Sequence, residues 1–265
     1  NTGQKSNPLN TKTKEIDTIL NQLNTAQLYW NKQSMQTRIN TCKLIQQTLI
    51  KHKRALSISI SKETGKPFWE SSTEVNAAIA KIDGSIASIK YRCRFPSIKS
   101  PKKTIQTILK PYGVIGVIGP FNFPVHIPHG QIIPSLLTGN AVAFKPSEYV
   151  PNTSALYIKL IKQCFKNMPC PIDIIYGSKL AGETIVNHKI TNFIFFTGSY
   201  NTGRAIEKVC NTIRKPVALE LGGNNPCIIE SYKNESELIN HIITSAFITS
   251  GQRCSSLRRL IINKK

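Results

Sequence analysis

Between residues 111 and 221 short apolar runs alternate with amphipathic stretches, and this alternation limits the chain to few architectures. Val114–Ile118, Ala141–Phe144, Ile172–Tyr176, Phe193–Phe196 and Val217–Leu221 are each short and almost free of polar residues. Such runs predict strands buried on both faces, which parallel sheets require. Residues 129–138, 153–165 and 203–209 carry helical spacing between them, with Pro134 expected to kink or end the first and Asn152 to cap the second. Strands alternating with helices predict an α/β fold, a parallel sheet with helices on both faces.

The flanking segments differ. Residues 17–60 predict two helices, with Ile16, Ile19, Leu20 and Leu23 on one face, and Gly65-Lys66-Pro67 breaks the pattern. Residues 70–93 predict another helix, and 96–104, with Pro96, Pro101 and a lysine pair, a loop. Beyond 221, a strand at 227–229, a helix at 235–248 and a strand at 257–262 follow. The expected units are 1–110, a helical part; 111–220, the α/β core; and 221–265, the start of a further domain.

Gly198, Ser199, Tyr200, Asn201, Thr202 and Gly203 follow a strand and open a helix, where free N–H groups and the positive dipole end suit a pyrophosphate. The spacing is neither GxGxxG nor a P-loop, since Arg204-Ala205 stands where Lys-Ser/Thr would be. Three further residues carry covalent chemistry: Cys254, a thiol in Gly-Gln-Arg-Cys; Glu220, a carboxylate ahead of two glycines; and Asn122, an amide able to hold an oxyanion.

Together with the runs KETGKPFWESSTEV (62–75), GPFNFPVHIPHGQIIPSLLTGNAVAFKPSE (119–148), LELGGNNP (219–226) and FITSGQRCSSLRRL (247–260), this set resembles the aldehyde dehydrogenase superfamily. The resemblance is collinear from about residue 25 to 263. It is strongest to the branch that oxidises N-succinylglutamate 5-semialdehyde in arginine breakdown. It implies a Rossmann-like parallel sheet and a catalytic domain of which only the first part is present, since family members run to nearly twice this length. The family's second cofactor-contacting glutamate and its subunit-pairing strand are not in the chain. It implies NAD as cofactor, with Lys145 and Glu148 on the adenosine ribose hydroxyls and Glu148 disfavouring the phosphate of NADP. It implies Cys254 as nucleophile, Asn122 and the Cys254 N–H as oxyanion donors, and Glu220 as the base that hydrolyses a thioester. Gly222 and Gly223 would let the backbone pass close to the cofactor. Partners would be a small aldehyde and, in full-length relatives, further copies in a homo-oligomer. A different semialdehyde, or a remnant without turnover, are alternative expectations.

The remaining features bound these readings. The net charge is +21, which attracts nucleic acid, but the lysines are scattered without interleaved aromatics, so no nucleic-acid partner is expected. No apolar run approaches the roughly 20 residues that cross a bilayer, so no membrane partner is expected either. Seven cysteines, an odd number without zinc spacing, and a polar start predict a reducing, cytoplasmic setting; Asn1 is not Met, so a start further upstream is expected. His126 and His129 flank Pro128 without a third ligand, and no metal site is expected. Arg253 and Arg258 are candidate anchors for substrate carboxylates, or structural.

Overall fold

The computed structural model describes residues 10–93, 97–100 and 102–263. Its elements in chain order are α1 (Thr13–Asn31), α2 (Met35–Lys51), α3 (Lys53–Thr64), α4 (Phe68–Arg92), β1 (Ile98–Ser100), β2 (Lys103–Ile105), β3 (Val114–Ile118), α5 (His126–Leu137), β4 (Ala141–Lys145), α6 (Pro151–Lys162), β5 (Ile172–Ile174), α7 (Lys179–Asn187), β6 (Thr191–Gly198), α8 (Tyr200–Thr212), β7 (Val217–Leu221), β8 (Asn225–Ile229), α9 (Glu235–Phe247) and β9 (Leu257–Ile262).

The central sheet has the order β5-β4-β3-β6-β7 and is parallel throughout. Alternate residues of β3 face opposite layers. Val114 and Ile118 pack with Ile16, Leu20 and Leu23 of α1 and Ile185 of α7, whereas Ile115 and Val117 pack with Ile45, Ile82, Ile132 and Tyr157 of α2, α4, α5 and α6. Two buried faces explain why β3 carries no polar side chain. β8 and β9 form a separate parallel pair joined through α9. This unit leaves Ile228, Ile239, Ile243, Phe247, Leu260, Ile261 and Ile262 exposed.

Several sequence expectations are corrected. Residues 17–60 hold parts of three helices rather than two, because the chain pivots at His52 between α2 and α3. In the segment read as a loop, β1 and β2 form an antiparallel hairpin; Pro96 and Pro101 lie outside the described residues. α5 begins earlier than expected and runs past Pro134 to Leu137. Asn152 does not cap α6: the cap position is Val150, and the Glu63 carboxylate of α3 accepts from the Asn152 and Thr153 N–H groups at 2.9 and 2.8 Å. α7 had no sequence counterpart; Ala181, Ile185 and Val186 are the positions it buries.

His129 is fully buried on α5, with Nδ1 2.7 Å from the Tyr157 hydroxyl. Burial, then the charges of Lys81 and His126, hold its pKa down to about 3. An unfolded histidine titrates near 6.5, so the unfolded chain takes up a proton that the folded chain refuses. The stability tied to neutral His129 is complete above pH 6.5 and falls as pH drops towards 3, by up to about 1.4 kcal/mol per pH unit. Unfolding free energies measured between pH 7 and 4.5 should show this slope added to that of His126, whose pKa is likewise lowered, to about 4, and His129→Gln should remove its own share.

Candidate active site

In the central sheet the chain leaves β3 in one direction, to β4 and β5, and returns to the other side of β3 with β6 and β7. The C-terminal ends of β3 and β6 therefore flank a point where the strand order reverses, and the crevice there is where open α/β sheets bind ligands. Most of the sequence-derived candidates converge on this edge. Ile118, the last residue of β3, is in register with Lys145 on one side and Phe196 on the other, and Glu220 pairs with Thr197 one step further on.

Lys145 ends β4 and is 5% exposed. Its ammonium donates to the Pro146 carbonyl at 3.0 Å and lies 3.9 Å from the half-exposed Glu148 carboxylate. Burial lowers its pKa, and Glu148 partly restores it. A buried cation with a single distant counter-charge at a strand end is suited to receive ligand hydroxyls or an anion. Gly198 ends β6, and Ser199 caps α8 by accepting from the Thr202 N–H at 3.4 Å. Tyr200, Asn201 and Gly203 lie in the first turn of α8, so residues 198–203 form the strand-turn-helix that the sequence suggested. The donor set fits a dinucleotide: a helix N-terminus beside β6, a buried lysine on β4, and the reversal point between them.

The loop between β3 and α5 carries Asn122. It is held by a pair that sequence reasoning missed, one residue just ahead of α4 and one within it. Lys66 and Glu74 form an ion pair whose side chains are almost wholly buried. The Lys66 ammonium also donates to the Asn122 carbonyl at 2.9 Å and sits 4.4 Å from the centre of the Phe123 ring. The other Glu74 oxygen accepts from the Val125 and His126 N–H groups, at 3.0 and 3.1 Å, and so caps α5. Both residues lie within the 62–75 run, but their pairing has no local signature.

Cys254 follows a strained turn. Thr249, Ser250 and Gly251 all have positive φ, at 60°, 53° and 66°. Non-glycine residues there cost on the order of 1 kcal/mol or more each and persist only when surroundings enforce them. The enforcing contacts are the Glu70 carboxylate of α4, which accepts from the Thr249 N–H at 2.9 Å, and Arg253, whose Nε donates to the Thr249 hydroxyl at 2.7 Å. Arg258 donates to the Gly251 carbonyl at 2.9 Å. Beyond the turn, Asn225 donates to the Cys254 and Ser256 carbonyls at 2.6 and 3.1 Å. A Cβ on Gly223 would stand 2.5 Å from the Cys254 carbonyl oxygen, so this glycine lets the 222–225 segment close on the cysteine turn. A Cβ on Gly222 would meet open space. Finally, Asn122 Nδ2 donates to the Gln252 carbonyl at 2.6 Å and brings the amide beside the cysteine loop. Cys254 is exposed, whereas Cys42, Cys164 and Cys210 are buried.

The sequence profile described as the aldehyde dehydrogenase family matches residues 6–265. The chain belongs to the aldehyde dehydrogenase family. Among curated aldehyde dehydrogenases, the N-succinylglutamate 5-semialdehyde dehydrogenase of Burkholderia mallei is 36% identical over 237 residues, covering 88% of this chain and 48% of that protein. The chain thus spans about half the length of the curated relatives it matches. Two solved structures share the aldehyde dehydrogenase fold closely. The glyceraldehyde-3-phosphate dehydrogenase of Methanocaldococcus jannaschii, complexed with NADP, has a TM-score of 0.90 at 27% identity, covering 99% of this chain and 57% of that one. A 3,6-anhydro-L-galactose dehydrogenase in complex with NAP has a TM-score of 0.87 at 26% identity, covering 96% of this chain and 53% of that one. No described helix of this family member is long and apolar enough to cross a membrane.

Proposed function

We propose that this chain is the nucleotide-binding part and nucleophile-bearing segment of an NAD-dependent dehydrogenase that oxidises N-succinylglutamate 5-semialdehyde to its carboxylate. The observation that carries the reading is the 2.6 Å hydrogen bond from Asn122 to Gln252, which couples the β3 loop at the ligand crevice to the loop of Cys254. The relative from Burkholderia mallei supports the choice of substrate. Residues 111–220 supply the nucleotide-binding core and residues from 221 onward begin the catalytic domain. A homo-oligomer is part of the same reading, supported by exposed Ile98 and Ile105 on the β1–β2 hairpin.

The crevice residues divide the work. The N-terminus of α8, with Gly198 to Gly203, faces a pyrophosphate, and Lys145 with Glu148 takes ribose hydroxyls. Glu148 disfavours a ribose phosphate by like charge, which supports NAD over the NADP held by the Methanocaldococcus protein. NAD, when bound, supplies the hydride acceptor. The Cys254 sulfur attacks the aldehyde carbon and forms a thiohemiacetal. Asn122 Nδ2 carries two hydrogens; one is on Gln252, and the second meets the developing oxyanion together with the Cys254 N–H. Preorganised donors of this kind contribute about 3 kcal/mol each to the transition state. Once oxidised, the substrate is held as a thioester on Cys254. Glu220 then takes a proton from the water that attacks the thioester, releasing the carboxylate and the thiol.

The test is purified protein from the complete reading frame, mixed with NAD and N-succinylglutamate 5-semialdehyde while reduced cofactor is followed by absorbance. Turnover supports class and substrate together. Activity only on other aldehydes removes the substrate, and none on any aldehyde removes the function. In the active enzyme, Glu220→Gln should release about one reduced cofactor per site in a burst and then turn over at least about 100-fold more slowly. Mass spectrometry should find the acyl group on Cys254. Unchanged steady-state turnover would remove Glu220 from the mechanism.

A further inference from the structure

α4 and α5 pack side by side but leave a cleft of about 500 Å³ between them, lined by Ala77, Lys81, Gly84, Ser85, Gly130 and Pro134 among others. Small residues on α4 open the cleft, and one cation stands in its wall. Lys81 is half-buried, and among the described residues no carboxylate pairs with it. Its ammonium lies 3.4 Å from His126 Nε2. A Cβ on Gly130 would stand 2.7 Å from that ammonium, so the bare α5 backbone is what gives Lys81 its position. His126 holds no counter-charge for it: burial, then Lys81 and Lys66, push its pKa down to about 4, and it is neutral at physiological pH. A partly desolvated ammonium without a carboxylate is costly, and an anion entering the cleft removes that cost.

The cleft is also close to the cysteine loop. His126 stacks edge-on against Phe123, with centroids 6.3 Å apart, and the guanidinium of Arg253, next to Cys254, lies 5.6 Å from the same ring. Successive side-chain contacts through His126 and Phe123 thus connect Lys81 with Arg253 of the nucleophile loop. Arg253 and Arg258, the nearer cations, direct donors to Thr249 and Gly251 within their own loop.

We propose that Lys81, placed by Gly130 in the α4/α5 cleft, binds a carboxylate of the aldehyde substrate and selects dicarboxylic semialdehydes over uncharged aldehydes. The site rests on the dehydrogenase reading above for its reaction but not for its ligand chemistry. The carboxylate takes a charge-assisted hydrogen bond from the Lys81 ammonium, and the Ser85 and Ser88 side chains border the same space. Lys81 is a specificity residue, remote from the reacting carbon, so its effect falls on KM.

The experiment compares the wild type, Lys81→Gln and Lys81→Arg, each from the complete reading frame, on N-succinylglutamate 5-semialdehyde and on hexanal. The expected result is a rise in KM of about 10- to 100-fold for the charged aldehyde in Lys81→Gln, with kcat nearly kept. Hexanal kinetics should be unchanged, and Lys81→Arg should recover most of the loss. Equal losses on both aldehydes, or none on the charged one, would overturn the proposal. If the wild type oxidises no aldehyde, the dehydrogenase reading fails by itself, and calorimetry with N-succinylglutamate decides the site. Binding weakened at least about 10-fold by Lys81→Gln keeps the site, and absent or unaltered binding removes it.

Discussion

Cys254→Ala is expected to lower aldehyde oxidation by about 10⁴-fold or more, because it removes the atom that forms the covalent adduct and leaves only binding and oxyanion contacts. The fold should be untouched. Cys254 is exposed, and the loop is held through backbone atoms: Thr249 N–H on Glu70, the Gly251 carbonyl on Arg258, and the Cys254 carbonyl on Asn225. The variant should therefore unfold at the wild-type temperature while losing activity, and full activity would dismiss the nucleophile. A second readout needs no turnover. Burial raises the pKa of Cys42 to about 12 and of Cys170 to about 11, and raises Cys164 and Cys210 as well. Thiols held protonated in the interior react slowly. Iodoacetamide should label Cys254 ahead of those four, as peptide mass spectrometry would show.

Glu74→Leu should destabilise the protein by about 3–5 kcal/mol, the usual consequence of leaving one partner of a buried ion pair unpaired. Here the loss has three parts. Lys66 keeps only the Asn122 carbonyl and the Phe123 ring, and the Val125 and His126 N–H groups lose their acceptor at the start of α5. For a chain of this size the melting temperature should fall by roughly 6–20 °C. Lys66→Met together with Glu74→Leu should recover part of the loss, since the double change leaves no unpaired charge. A melting temperature within 2 °C of wild type in Glu74→Leu, taking about 2–4 °C per kcal/mol, would show that the pair does not brace the β3 loop.

The two predictions differ in how far the residues behind them could be read from the chain. Cys254, Glu220, Asn122 and the turn at 198–203 stood out through residue type and order, and the fold brings them to one sheet edge or onto the adjoining loop. Glu70, Lys66 and Glu74 did not stand out. Glu70 and Glu74 lie on a segment whose helical period was plain, and Lys66 in the break before it, but their partners at Thr249, Val125, His126 and Asn122 are far along the chain, and no local pattern marks a long-range hydrogen bond. Lys81 was equally silent, one lysine in a chain of net charge +21. Only the cleft, and the lack of a carboxylate partner, set it apart.

β3, β7 and β9 were bounded correctly from the sequence at Val114–Ile118, Val217–Leu221 and Leu257–Ile262, because glycine, proline or polar residues flank each run, although of these only β3 is buried along its whole length. By itself, then, the sequence determined the alternation of strands and helices, the parallel sheet and the order of the reactive groups, all properties of near neighbours and of hydrophobic period. Tertiary structure decided where α5 and α6 begin, that residues 98–105 pair as a hairpin, and how Thr249 and Ser250 are held in a left-handed turn. Those outcomes depend on acceptors supplied across the fold, Glu74 to α5, Glu63 to α6 and Glu70 to Thr249, or on strand pairing, and they exist only once the chain has brought its distant parts together.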